Sequence, residues 1–225
     1  MRARQETCCF TGHRPEKLPW RDNEQDPRCI ALKRRISDAV EAAWNEGYRH
    51  FICGMARGCD LYFCECVRDL RPYLRGVTLE AAIPYPEQAA GWSKSYQKRY
   101  QDCLDACDLQ TVVSRVYKPD CMARRNRYMV DHASLLIAVF DGVPGGSGQT
   151  IEYAMRRNIP IISLPPVSDS ETQDYNQDYS QIYNQAYNQI YNQAYDGFYN
   201  GFDDSFYDEF QDINQDINQD IKDAN

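Results

Sequence analysis

The sequence predicts an α/β protein: a Rossmann-like, doubly wound, mostly parallel sheet, followed by a low-complexity C-terminal tail. Short apolar runs alternate with longer helical patterns over residues 1–166. Strands separated by helical crossovers lie parallel, with helices on both faces of the sheet. The runs are continuous rather than alternating, as in Leu135-Leu-Ile-Ala-Val-Phe140 and Ile159-Pro-Ile-Ile162, which is what burial on both faces requires.

Residues 7–10 form the first strand, which ends at Thr11-Gly-His-Arg-Pro15. Residues 29–45 place Ile30, Ile36, Val40, Ala43 and Trp44 near helical spacing, and Gly47 caps the helix. A second strand at 50–53 leads into the glycine turn 54–58, then a helix at 59–70 that Pro72 ends. The third strand, 77–83, stops at Pro84-Tyr-Pro86 and is followed by a long amphipathic helix at 88–106. A fourth strand at 110–114, a helix at 122–133, a fifth strand at 135–140, a helix at 148–157 and a sixth strand at 159–164 complete the series.

The net charge of −8 hides a division near Pro166. From there to Asn225 stand 13 acids and one base (Lys222), against 24 bases and 20 acids before it. The first part, 1–166, reads as a mildly basic globular domain and the second, 167–225, as an acidic tail. From Tyr175 the tail runs in tetrads such as Tyr-Asn-Gln-Ala and Tyr-Asn-Gln-Ile. On a helix a four-residue period drifts by about 40° per repeat, so the tyrosines at 175 to 199 cannot form one buried stripe. Either a tail without fixed structure, a marginal lone helix, or a self-associating Tyr/Asn/Gln segment is expected.

No apolar run approaches the roughly 18 residues of a membrane span, and the apolar stretch at 7–10 is too short for a signal peptide. The ten cysteines are then expected as reduced thiols in the cytoplasm. No Cys-x-x-Cys pair occurs, and His13, His50 and His132 lack zinc-type spacing. No metal and no cofactor is expected, and the cysteines read as small buried apolar residues.

In sheets of this class ligands bind beyond the carboxyl ends of the strands. Three loops rich in glycine or charge follow strands there: 11–14, 54–60 and 141–150. The last, Asp141-Gly-Val-Pro-Gly-Gly-Ser-Gly-Gln-Thr-Ile-Glu152, follows a buried strand and opens a helix. Gly145, Gly146 and Gly148 admit a close ligand, Ser147 and Thr150 offer hydroxyls, and the new helix turns its free N–H groups toward an anion. No Gly-Lys-Ser/Thr follows, so it is not a Walker A loop. Glu152 caps that helix, contacts a ribose or acts as a base. In Ala123-Arg-Arg-Asn-Arg-Tyr-Met129, Arg125 shares a helix face with Met129 and Arg124 with Arg127. Burial of Met129 and Val130 directs at least one arginine to the cleft, as a phosphate contact. Thr11, Gly12, His13 and Arg14, with Gly54, Gly58 and Asp60, complete the cleft. Asp60 has N-capping as its default role, and His13 reads as a hydrogen-bonding group.

Thr11-Gly-His-Arg-Pro, Gly54-Met-Ala-Arg-Gly-Cys-Asp, Arg125-Asn-Arg-Tyr-Met-Val-Asp and Pro144-Gly-Gly-Ser-Gly-Gln-Thr-Ile-Glu together resemble the Lonely Guy/DprA (SLOG) superfamily, within it the YoqJ/YpsA-like branch. The resemblance covers about residues 6–165. It implies a Rossmann-like fold and a nucleotide or nucleotide-derived, ADP-ribose-like ligand. Lonely Guy members are phosphoribohydrolases acting on nucleoside monophosphates. Their catalytic pattern falls here on Arg125 and Glu152, with departures at Asn126, where the family has Lys, and at Gln149, which precedes Thr150. DprA-like members bind single-stranded DNA and carry an Arg-Asn-Arg similar to Arg125-Asn126-Arg127. Ligand binding through the glycine-rich loop is therefore the leading expectation. A phosphoribohydrolase and a single-stranded-DNA accessory protein are the alternatives. Homo-oligomerisation is left open, and no membrane partner is expected.

Overall fold

The computed structural model describes residues 4–166, so the expected tail and its boundary at 166/167 lie outside the described residues. The elements follow in the order β1 (Thr7–Thr11), α1 (Pro27–Asn45), β2 (His50–Cys53), α2 (Cys59–Leu70), β3 (Thr78–Ile83), α3 (Lys94–Ala106), β4 (Leu109–Val112), α4 (Cys121–His132), β5 (Leu135–Ala138), α5 (Gly146–Arg156) and β6 (Ile161–Ser163). All strand pairings are parallel, and the order across the sheet is β4-β3-β2-β1-β5-β6. The chain walks outward from β1 to one edge, returns through α4, and walks from β5 to the other edge. Right-handed crossovers then put α1, α2 and α3 on one face and α4 and α5 on the other.

Side chains sort accordingly. Cys8, Phe10, Phe51, Leu79 and Ile137 face one way, onto Leu32, Ile36, Val40 and Phe63. Cys9, Ile52, Ala82 and Leu136 face the other, onto Met129, Val130, Ile151 and Ala154. Phe10 and Phe63 stack with centroids 4.4 Å apart, and burying a side chain of this size stabilises by about 1.5–3 kcal/mol. The ten cysteines are free thiols, eight of them buried. Burial pushes the thiols of Cys9 and Cys66 up to about 12, which keeps them protonated packing groups.

Two expectations need correction. Burial on both faces fails at the sheet edge, where Leu109 and Val112 of β4 are about half exposed (49% and 47%), because an edge strand has a neighbour on one side only. The helix expected from 88 starts at Lys94: Ser93 caps it by accepting from the Tyr96 N–H (3.4 Å), and the preceding residues fold as turns. Gln88 is drawn inward instead, its amide donating to the Met55 carbonyl at 2.6 Å. Among the described residues no helix is long and apolar enough to cross a membrane, and no group of three or more His, Cys, Asp or Glu is arranged to hold a metal.

A buried polar cluster fixes α4 on the sheet. Tyr128 donates its hydroxyl to Glu80 Oε1 at 2.7 Å, and His50 Nε2 lies 2.9 Å from Oε2. The other ring nitrogen of His50 meets Thr78 Oγ1 at 2.9 Å. Burial alone would raise the Glu80 carboxyl, but hydrogen bonds from His50, Tyr128 and Thr111 outweigh it and hold the group below its ordinary 4.5. A carboxylate depressed in the folded state contributes stability above its unfolded pKa and loses it as pH falls through the folded one. Glu80→Gln should therefore lower stability at neutral pH and flatten the loss below about pH 4.5, read as urea midpoints across the acid range.

Candidate functional site

β1 pairs with β2 on one side and β5 on the other. The connections from β1 and β5 leave for opposite faces, so a crevice opens beyond their carboxyl ends. A hollow of about 320 Å³ lies there. It is built from three segments far apart in sequence.

The loop after β1 is stapled at each residue. The Thr11 carbonyl accepts the Val139 N–H (2.9 Å), the Gly12 carbonyl accepts the Ser147 hydroxyl (2.9 Å), and the His13 carbonyl accepts the Cys59 N–H (3.1 Å). A Cβ on Gly12 would stand 2.4 Å from that of Cys59, so only glycine fits against the start of α2. Gly58, at φ +82°, packs on the His13 carbonyl and Pro15. Pro15 then opens a short 3₁₀ turn that brings Lys17 back, its ammonium donating to the Pro144 carbonyl at 2.8 Å.

The second segment is the start of α5. The first intrahelical bond runs from the Gln149 N–H to the Gly145 carbonyl (3.0 Å), which leaves the amides of residues 146–148 without a helical acceptor. Gly145, Gly146 and Ser147 line the hollow. The two hydroxyls expected to face a ligand brace the loop instead. Ser147 donates to Gly12, and Thr150 donates to the Gly146 carbonyl while accepting from Asn126 Nδ2, both at 2.8 Å. Gly148 packs against the Phe140 ring.

The third is α4. Arg125 is buried with Met129, as their spacing implied, and only 5% exposed. Its Nη1 donates to the Gly54 carbonyl and lies 3.6 Å from Asp60 Oδ2, while its Nε has no partner. A Cβ on Gly54 would collide with that guanidinium. Asp60 accepts the Ala56 N–H at 3.0 Å. Burial pushes the Asp60 carboxyl up even with Arg125 beside it, and burial pulls Arg125 down. Desolvation thus outweighs the pair's mutual attraction.

The hollow brings together Thr11, Gly12, His13, Arg14, Asp60, Arg125, Gly145, Gly146 and Ser147. Gly54 and Gly58 stand behind its walls. Arg127, Thr150 and Glu152 line a second hollow of about 250 Å³ between α4 and α5, where Glu152 faces Arg156 at 3.9 Å. Arg125 and Glu152 are therefore not brought into one site. Arg124 is exposed and borders neither hollow.

Lys17 and Asp141 are among the residues at this end of the sheet to which the sequence reading gave no role. Lys17 carried a usable signal, since a proline two positions earlier marks a turn. Asp141 meets His13 Nε2 at 2.8 Å, and only the adjacency of β1 and β5 creates that contact. Burial opposes ionisation of Asp141, but the Val143 N–H and His13 outweigh it and hold the carboxyl below its ordinary value.

An open parallel sheet with this crevice beside a glycine-rich helix start is the architecture of a Rossmann-like α/β protein. The chain belongs to the YspA SLOG family (YpsA), whose family model matches residues 8–159. It is 28% identical over 148 residues to the uncharacterised SPbeta prophage-derived protein YoqJ of Bacillus subtilis, covering 59% of this chain and 85% of that protein. It is 25% identical over 152 residues to a UPF0398 protein of Bacillus thuringiensis, covering 65% and 80%. Among solved structures, DNA processing protein A (DprA) from Streptococcus pneumoniae shares the fold with a TM-score of 0.50 at 16% identity. That match covers 79% of this chain and 56% of the DprA chain.

Removing one member of a buried ion pair strands the other. Arg125→Met should lower the unfolding free energy by about 3–5 kcal/mol, and adding Asp60→Asn should recover part of it, both measured by urea denaturation.

Proposed function

We propose that the hollow binds the phosphate of a nucleotide or of a nucleotide-derived, ADP-ribose-like ligand. One observation carries the reading: the free amides at the start of α5 share the hollow with the buried guanidinium of Arg125. Phosphate oxygens accept from both kinds of donor, and the helix dipole favours the same charge. Arg14 and Lys17 add cations at the same wall, and Asp60 fixes the position of Arg125. The hollow sits at the lower end of the roughly 300–1,000 Å³ range of small-molecule sites. A cytoplasmic setting fits the ten free thiols.

The test is a melting-temperature screen of the full chain against AMP, ADP, ADP-ribose and a single-stranded oligonucleotide, because a ligand of the folded form alone must raise the midpoint. Gly146 gives a clean variant. A Cβ there meets nothing within 4 Å, and an acid in a helix's first turn is stabilising. Gly146→Asp should leave the melting temperature of the free protein unchanged or higher. It should weaken the best nucleotide by at least about tenfold, or about 1.4 kcal/mol. Undiminished binding would show that the loop is wrongly assigned. An oligonucleotide that binds with steep salt dependence while no nucleotide shifts the midpoint would replace this reading with a nucleic-acid one.

A further inference from the structure

Phosphate binding leaves one feature of the hollow unused, the His13–Asp141 pair. His13 is 3% exposed and is one of the residues that line the hollow. Asp141 holds Nε2 at 2.8 Å and is itself held, since the same oxygen accepts the Val143 N–H at 3.0 Å across a turn whose Gly142 sits at φ +89°. The Phe140 ring packs 5.9 Å from the imidazole. Among the described residues Nδ1 has no partner. His50 shows the contrast: both of its nitrogens are engaged, by Thr78 and Glu80, as a purely structural histidine requires. An imidazole oriented by a fixed carboxylate, with its second nitrogen free at a ligand cleft, is what a general base needs.

The other carboxylates near the hollow are committed. Asp60 serves Arg125 and the Ala56 amide, Glu16 pairs with Arg57, and Glu152 lies in the neighbouring hollow. Position selects the bond. His13 follows Gly12, whose carbonyl holds Ser147 in the first turn of α5. The imidazole itself meets Asp141 in the loop that leads into α5, which puts it on the same side of the hollow as the proposed phosphate seat.

We propose that His13 is a catalytic base, oriented by Asp141, in the hydrolysis of a phosphoanhydride bond of the nucleotide bound there. The inference rests on the phosphate reading above. A water oxygen attacks phosphorus and the P–O bond to the leaving phosphate breaks. His13 Nδ1 takes the water's proton while the leaving phosphate departs as its anion, and the imidazolium then gives that proton up to solvent, so the ring returns to its starting state. The α5 amides, Arg125 and Lys17 stabilise charge on the non-bridging oxygens. Asp141 is the positioning residue.

The experiment incubates the full chain with ADP and with ADP-ribose, follows products by phosphorus NMR, and measures binding of the same compounds by calorimetry. Wild type should release AMP with phosphate or ribose phosphate. His13→Gln should lower turnover by at least about a hundredfold with affinity within about threefold, the range expected for loss of a general base. Asp141→Asn should lower turnover less and move the acidic limb of the pH–rate profile, a readout that a clasp between two loops would not touch. If His13→Gln does not fold, the one-third-exposed Asp141 decides alone. Binding without turnover, wild-type turnover in His13→Gln, or an unmoved profile in Asp141→Asn overturns the proposal while sparing the phosphate reading. Absence of binding by either compound overturns both.

Discussion

A guanidinium almost wholly out of water is the constraint around which this end of the molecule is arranged. Arginine carries five N–H donors, stays charged, and loses solvation when buried. Arg125 receives one backbone carbonyl, a carboxylate at 3.6 Å, and no partner for Nε. Its surroundings follow from that demand. Gly54 lacks a side chain because the guanidinium occupies its space, Asp60 is anchored by an amide so that it faces the charge, and Tyr128 pins the same helix to β3 through Glu80. A buried ion pair seldom stabilises a fold better than apolar packing would. The proposed phosphate reading gives this costly burial a purpose, since it holds one cation at the wall of the hollow.

Much of the fold was legible because each strand is a short apolar run and each helix a 3.6-residue pattern. β2 and α2 occur where the residue types placed them. The start of α3 was not legible. Gln88 was read as the first residue of an amphipathic helix but bonds the Met55 carbonyl, and such a long-range partner leaves no trace in local spacing. Within the site the same division holds. The Arg125–Met129 spacing put those two side chains on one helix face, but which arginine turns inward was settled only by the packing of α4, which buries Arg125 and leaves Arg124 exposed. The His13–Asp141 contact was invisible, because the two lie 128 positions apart and meet only once β1 and β5 are neighbours.

Glu152 shows where a motif and a geometry part. α5 buries Ser147, Thr150, Ile151 and Ala154, a set of three- and four-residue steps. A helix that commits those positions inward must turn 149, 152 and 156 away from them. Those positions line the second hollow with Arg127. The family pattern supplies residue types at sequence positions, but the packing stripe decides which way each side chain faces. That stripe was already present in the sequence.

The balance of charge bears on the size of what binds. The charged side chains lining the main hollow are Arg14, Lys17 and Arg125 against Glu16 and Asp60. Glu16 is further engaged by Arg57, and Arg125 by Asp60. Affinity for a polyanion grows with the number of phosphates neutralised and counterions released, which calls for an extended stripe of uncompensated cations. This hollow concentrates donors instead: amides from one helix turn, one buried guanidinium and one lysine converge on a volume of about 320 Å³. Convergent amides recognise a single phosphate group through fixed geometry, with little need for net charge. On the proposed reading, such a seat suits a small ligand with one bound phosphate better than a strand of nucleic acid. It also accounts for a domain that is only mildly basic yet keeps an unsatisfied arginine at its centre.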